Sequence, residues 1–248
     1  MDSSPLPGLI MLSLILLSCA PWCARSVDAS TPPNGPIPTH SRQDYPPQNS
    51  KLDPLGLSQI EHHLRPGDII FISIPYYPVR QISAATQCQS NHVGIAFYDP
   101  SKGWVVAESA VPLSRYTPLG KFIGRSTHGW CVVRRLRTGL TDAQVKALKA
   151  QCDARMNVYY NTGFDYCSSG LYCSKFVYEV YRGALGIEVG GVESFSHLLN
   201  RNPKANLAFW KVWFFGKIPW DRQTITPASQ FDSAQLETTW KSGSQAKP

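Results

Sequence analysis

An α+β fold is expected for this chain of 248 residues, and three runs of its sequence carry the expectation. HVGIAFY, opening at His92, alternates bulky and small residues as a strand does, with Val93, Ile95 and Phe97 on one face and His92, Gly94 and Ala96 on the other. WVVAES follows the turn-like DPSKG and puts Trp104, Val106 and Glu108 on a common face, so the two runs read as a hairpin. In CSKFVYEVY the apolar residues fall at Phe176, Val177, Val180 and Tyr181 and continue to Ala184, the spacing of a helix with one face in a core. Cys173 starts that helix and points inward.

In chain order, the first feature is the apolar run Leu9–Leu17, too short to span a bilayer comfortably and followed by Ser18, Cys19 and Ala20, which reads as a signal-peptide core. Leu16-Leu17-Ser18-Cys19 resembles a bacterial lipobox, in which Cys19 would carry the lipid and tether the protein to a membrane; a cut near Ala29 is the alternative. Against both, the first ten residues contain Asp2 and neither lysine nor arginine. A misassigned start is a third reading: a start at Met11 keeps most of the apolar run, whereas a non-methionine start further on removes it and leaves a cytoplasmic protein.

The expected organisation is a leader over residues 1–29, a Pro-rich linker over 30–51, one domain over 52–227 and a polar C-terminal tail over 228–248. Export would make the protein periplasmic or a membrane-anchored lipoprotein. The domain is long enough for a real core. Strands are expected at Asp68–Ile74, His92–Tyr98, Trp104–Ser109 and Cys131–Leu136. Helices are expected at Thr141–Met156, with Thr141 and Gln144 as a capping box, at Cys173–Tyr181, and at about Glu193–Leu199. ETTWKSGSQAKP at the end reads as frayed.

The formal charge is +7, and loss of residues 1–18 removes only the charge of Asp2. Such a domain favours anionic surfaces or carboxylate-bearing peptides. Arg134, Arg135 and Arg137 cluster, but the chain shows no helix-turn-helix or zinc finger, so a solvated strand edge is expected there and nucleic acid is not an expected partner. No metal or cofactor is expected either, because Cys88 and His92 lack a second Cys/His pair at ligand spacing. His62 and His63 read as surface residues, and His197 as a capping or packing one. The six aromatics of FWKVWFFGKIPW read as core and groove wall, with acyl-chain docking or a membrane interface as the alternative. Seven cysteines define no disulfide framework.

The chemistry rests on Cys173 and His92. A thiol attacks as its thiolate, and the unpaired amides and positive end of a helix N-terminus favour that form, as does a neighbouring imidazole. Amides at the same helix start, with a second donor such as Tyr166 or Tyr172, would hold an oxyanion. Glu108 would reach His92 across the hairpin and fix its tautomer, with Asn91 and Ser90 as competing orienters. The plain alternative is a buried structural Cys173 and a surface Glu108.

Taken together, SNHVGI, VAES and YCSKFVYEVY resemble the permuted papain-like amidases of the YaeF/YiiX type, relatives of the NlpC-type cell-wall peptidases. QISAATQCQSNHVGIAFY, VAESAVPLS, TGFDY, LYCSKFVYEV and FWKVWFFGKIPW are most like the YebB-like branch, over about Arg65 to Pro227. The histidine precedes the cysteine, as in the permuted branch. The resemblance implies a circularly permuted papain-like (NlpC-type) α+β fold, a small antiparallel sheet packed on the nucleophile helix. It also implies Cys173 as nucleophile, His92 as general base and Glu108 as orienting acid. The expected activity is amide hydrolysis through an acyl-enzyme, most plausibly in cell-wall peptide. A lipid acyl hydrolase or acyltransferase, and a non-catalytic binding module, are the alternatives.

Overall fold

Six antiparallel strands divide two apolar cores. The computed structural model describes residues 54–203 and 205–242. The expected leader with Cys19, the linker and residues 243–248 of the expected tail lie outside the described residues.

In chain order the elements are α1 (Pro54–His63), β1 (Ile69–Ile72), α2 (Tyr77–Thr86), β2 (His92–Asp99), β3 (Gly103–Glu108), β4 (Arg115–Pro118), α3 (Leu119–Ile123), β5 (Cys131–Leu136), α4 (Asp142–Asp153), α5 (Cys173–Leu185), β6 (Glu193–Ser194), α6 (Phe195–Asn200), α7 (Leu207–Trp213), β7 (Gln223–Thr224), α8 (Pro227–Phe231) and β8 (Leu236–Lys241). The main sheet runs β4-β3-β2-β1-β5-β8, and β6 pairs with β7 separately.

IIFI of β1 is apolar at every position because both faces of the central strand are covered. Ile69 and Phe71 join Val93, Ile95 and Phe97 of β2 in one core, which α5 closes with Phe176, Val177, Val180 and Tyr181 and α4 closes with Leu148 and Cys152. Replacing Phe176, fully buried there, by alanine would cost about 3–5 kcal/mol. Ile70 and Ile72 face the other core with Ala96 and Val106, under Ile60 of α1 and Leu119, Phe122 and Ile123 of α3. The small residues on the His92 face of β2 thus admit a close neighbour. A Cβ at Gly94 would stand 2.5 Å from Val106 Cγ1 and 3.2 Å from Phe122 Cε2.

The expected β2–β3 hairpin forms, with Ile95 opposite Ala107 and Asp99 opposite Gly103. The Thr141/Gln144 capping box begins α4. Helix α5 starts at Cys173 behind an extended Tyr172 that supplies no side-chain cap, and it stops at Gly186 with φ 68°.

Two expectations are corrected. The tail over 228–248 is not frayed throughout: α8 packs beside α5, and β8 pairs along β5 with Leu236 opposite Leu136 and fully buried. Its polar residues cover the outer edge of the sheet, where alternation needs only one apolar face. The arginine cluster is consequently not a free strand edge. Arg135 forms a bidentate pair with buried Asp68 at 2.7 Å, while Arg134 and Arg137 donate to the carbonyls of Leu236 and Ala234.

Candidate active site

The hairpin register places Glu108 one step beyond the Ile95–Ala107 pair, diagonal to His92 and on the same sheet face. His92 Nε2 and Glu108 Oε2 are 2.5 Å apart, with the carboxylate fully buried and the imidazole only 5 % exposed. Thr117 of β4 donates its hydroxyl to Glu108 at 2.6 Å. Arg125 donates to both carboxylate oxygens at 2.9 and 2.7 Å. Burial opposes the charge of Glu108, but His92, Arg125 and Thr117 outweigh it and hold the carboxyl down at about 2.

Cys173 is the second partner of the imidazole. His92 is hydrogen-bonded to Cys173 as well as to Glu108; burial disfavours its charge, and these two partners outweigh that and raise its pKa to about 9. With Nε2 on Glu108, Nδ1 is the nitrogen left to face the thiol. The ring of His92 lies 5.6 Å from that of Phe122, which in turn carries the Arg125 guanidinium 5.0 Å from its centre. One phenylalanine therefore packs against both partners of the carboxylate.

Asn91 is spent elsewhere. Its amide accepts from Ile74 N–H at 2.8 Å and donates to Ile74 C=O at 3.1 Å, so it ties β2 to the chain leaving β1 rather than orienting His92. Tyr172 and Tyr166 also do not present their hydroxyls to Cys173. Tyr172 Oη accepts from Ile225 N–H at 3.1 Å and shares a hydrogen bond with Thr224 at 3.3 Å. Tyr166 stacks edge-on against Tyr178, beneath the Lys175 ammonium, and its hydroxyl accepts from Arg182.

The tyrosine at the thiol is Tyr160, absent from the expected residues. Its hydroxyl meets the Cys173 side chain and accepts from the Cys173 backbone N–H; burial first, then the charge and side chain of Cys173, push its pKa well up against the opposite pull of that amide, so it stays neutral. Tyr160 is held there by its N–H on Pro112 C=O, at 2.9 Å, and by a β-bridge to Leu171, two residues before the cysteine.

His92, Tyr160 and Arg125 line a groove of about 430 Å³, together with apolar side chains that include Ile74, Val79, Trp210 and Trp213. Arg115 also lines it, and no carboxylate does. Cys173 itself, 3 % exposed, does not line that groove and borders a separate small cavity of about 30 Å³. Among the described residues no three His, Cys, Asp or Glu side chains form a group suited to a metal ion. His62 and His63 are exposed, as is His197, 3.6 Å from Glu193.

A profile of the permuted papain-like amidase enzymes, the YaeF/YiiX or C92 family, matches residues 63–239. The chain belongs to this family. As a permuted papain-like protein it is similar to the uncharacterized protein YiiX of Escherichia coli K12, 30% identical over 175 residues that cover 71% of this chain and 85% of YiiX. A solved structure, described as metalloprotein yiiX from Escherichia coli O157:H7, superposes with a TM-score of 0.67 at 31% identity over 72% of this chain and 98% of that one. The permuted papain-like assignment accounts for the order in which the histidine strand precedes the cysteine helix.

Proposed function

We propose that this cysteine amidase works through Cys173 as nucleophile, His92 as general base and Glu108 as the acid that orients it. The observation that carries the reading is the buried chain of hydrogen bonds from Cys173 through His92 to Glu108, closed by Arg125 and Thr117. Nδ1 of His92 takes the thiol proton, and sulfur attacks the substrate carbonyl. The oxyanion is held at the start of α5 by the Cys173 amide, which in the resting site donates to the Tyr160 oxygen, and by the Tyr160 hydroxyl. Collapse expels the amine, which leaves with the proton from His92. A thioester remains. Water, deprotonated by His92, then attacks it, releasing the carboxylic acid and restoring the thiol.

Glu108 stays ionised throughout and keeps Nε2 protonated, so that Nδ1 is the working nitrogen. We take the amide to belong to a cell-envelope peptide, which a basic exported protein would meet. A second reading, an acyl lipid, is favoured by the apolar wall of the groove beside His92. The solved yiiX relative is described as a metalloprotein; among the described residues of this chain no three His, Cys, Asp or Glu side chains group as metal ligands.

The two substrates separate in one experiment: purified protein is incubated with peptidoglycan and, in parallel, with an N-acyl and O-acyl lipid panel. Release from either by the wild type, lost in Cys173→Ala, supports the mechanism. Equal release by the variant sinks it.

A further inference from the structure

Helix α7 is apolar on both of its faces although one faces solvent. Phe209, Trp210 and Trp213 face inward, and the buried Trp210 packs among α2, α6 and the chain around Ile218. The outward face carries Leu207 (45 % exposed) and Val212 (78 %), and the turn that follows adds Phe215 at 100 %. Lys211 apart, α7 carries apolar side chains on both faces, and a helix of that kind is ordinarily buried. This one is not.

The turn strengthens the point. Phe215 has φ 54° and Gly216 φ 103°, so a phenylalanine holds a left-handed conformation that costs energy without burying its ring. Lys211 and Lys217 are exposed beside it, and among the described residues neither ammonium is paired with a carboxylate. From Leu207 to Trp220 the sequence contains these two lysines and not a single acidic residue. Apolar side chains projecting between lysines whose stems can snorkel match the boundary between the acyl chains and the anionic headgroups of a lipid bilayer.

We propose that the outer face of α7 and the turn after it form a docking surface for an anionic phospholipid membrane. Phe215 and Val212 enter the acyl boundary, and Lys211 and Lys217 meet the phosphates. Among the described residues no helix is long and apolar enough to cross a membrane, so the contact is interfacial. Thr162 and Trp213 line both the groove beside His92 and the depression beside Phe215, so docking brings the end of that groove to the lipid surface. The inference stands without the catalytic assignment.

The test is hydrogen exchange of the full chain with vesicles of phosphatidylglycerol and phosphatidylcholine, and with vesicles of phosphatidylcholine alone. Exchange at residues 207–220 is expected to slow at least tenfold with the anionic vesicles and far less with the neutral ones. The slowing is expected to disappear in Val212→Gln/Phe215→Asn and in Lys211→Gln/Lys217→Gln. Because the readout is local, anchoring through another part of the chain leaves 207–220 unprotected and overturns the proposal. It is equally overturned by protection that both double variants retain, by equal protection from neutral vesicles, or by protection that rises with protein concentration without vesicles and so reports a second copy.

Discussion

Glu108 holds its carboxylate between His92, 2.5 Å from one oxygen, and Arg125, whose guanidinium donates to both oxygens at 2.9 and 2.7 Å. A fully buried acid is tolerated only because three side chains from three parts of the chain meet it there.

Glu108→Gln leaves two cationic groups without their counter-charge. It is expected to lower unfolding stability by about 3–5 kcal/mol, as removal of one partner from a buried ion pair does. It should lower kcat by about 100-fold or more, because the imidazole loses its fixed tautomer. Chemical denaturation and steady-state kinetics on the same preparation measure both. Thr117→Val, which removes one neutral donor, should cost only about 1 kcal/mol.

The pair also sets a pH window. His92 holds its proton more tightly in the fold, at about 9 against an ordinary 6.5, so its stabilisation is complete below 6.5 and is lost as pH rises through about 9. Glu108 runs the other way: lowered from 4.5 to about 2, its contribution is complete above 4.5 and is lost as pH falls through about 2. The Tm difference between wild type and Glu108→Gln should therefore be greatest between 4.5 and 6.5 and narrow on both sides. Activity should show a bell-shaped profile whose alkaline limb falls through about 9, where the imidazolium proposed to protonate the leaving amine is lost.

Tyr160 and Tyr172 give opposite expectations. Tyr160→Phe removes the proposed oxyanion donor and should lower kcat by about 10²–10³-fold with little change in KM. Tyr172→Phe removes hydrogen bonds to Ile225 and Thr224, which should cost about 1 kcal/mol of stability and leave kcat near the wild-type value.

Deleting residues 236–248 tests the last strand. Loss of β8 uncovers the full length of β5 and the buried site of Leu236, so the truncated chain should lose about 10 °C or more in Tm, or aggregate through the new edge. Calorimetry and light scattering read the two outcomes.

The sequence held most of what is local. Strand β5 has the expected bounds, α4 has its capping box, and the alternation in HVGIAFY and WVVAES put Glu108 where a hairpin could bring it to His92, as it does. Long-range pairing was less visible. In LETTWK of β8 only Leu236 and Trp240 are large and apolar, and its partner β5 lies about a hundred residues earlier, so composition suggested a tail. Arg125 follows α3 outside any patterned run, and nothing local marks it as the second partner of Glu108. Tyr160 is one of several tyrosines before Cys173; what selects it over Tyr166 and Tyr172 is the bridge to Leu171, a tertiary feature.

Alkylation of the free thiols tests the central claim most directly. Cys88, Cys131, Cys152 and Cys173 are all free, and burial pushes Cys88 up to about 11 and Cys131 and Cys152 higher, so these three are built-in controls. Iodoacetamide labelling across a pH series, read by mass spectrometry of wild type and His92→Ala, should modify Cys173 first at neutral pH and lose that preference in the variant. Slow labelling of Cys173, indistinguishable from the other three and unchanged by His92→Ala, would contradict the assignment of a nucleophile activated by His92.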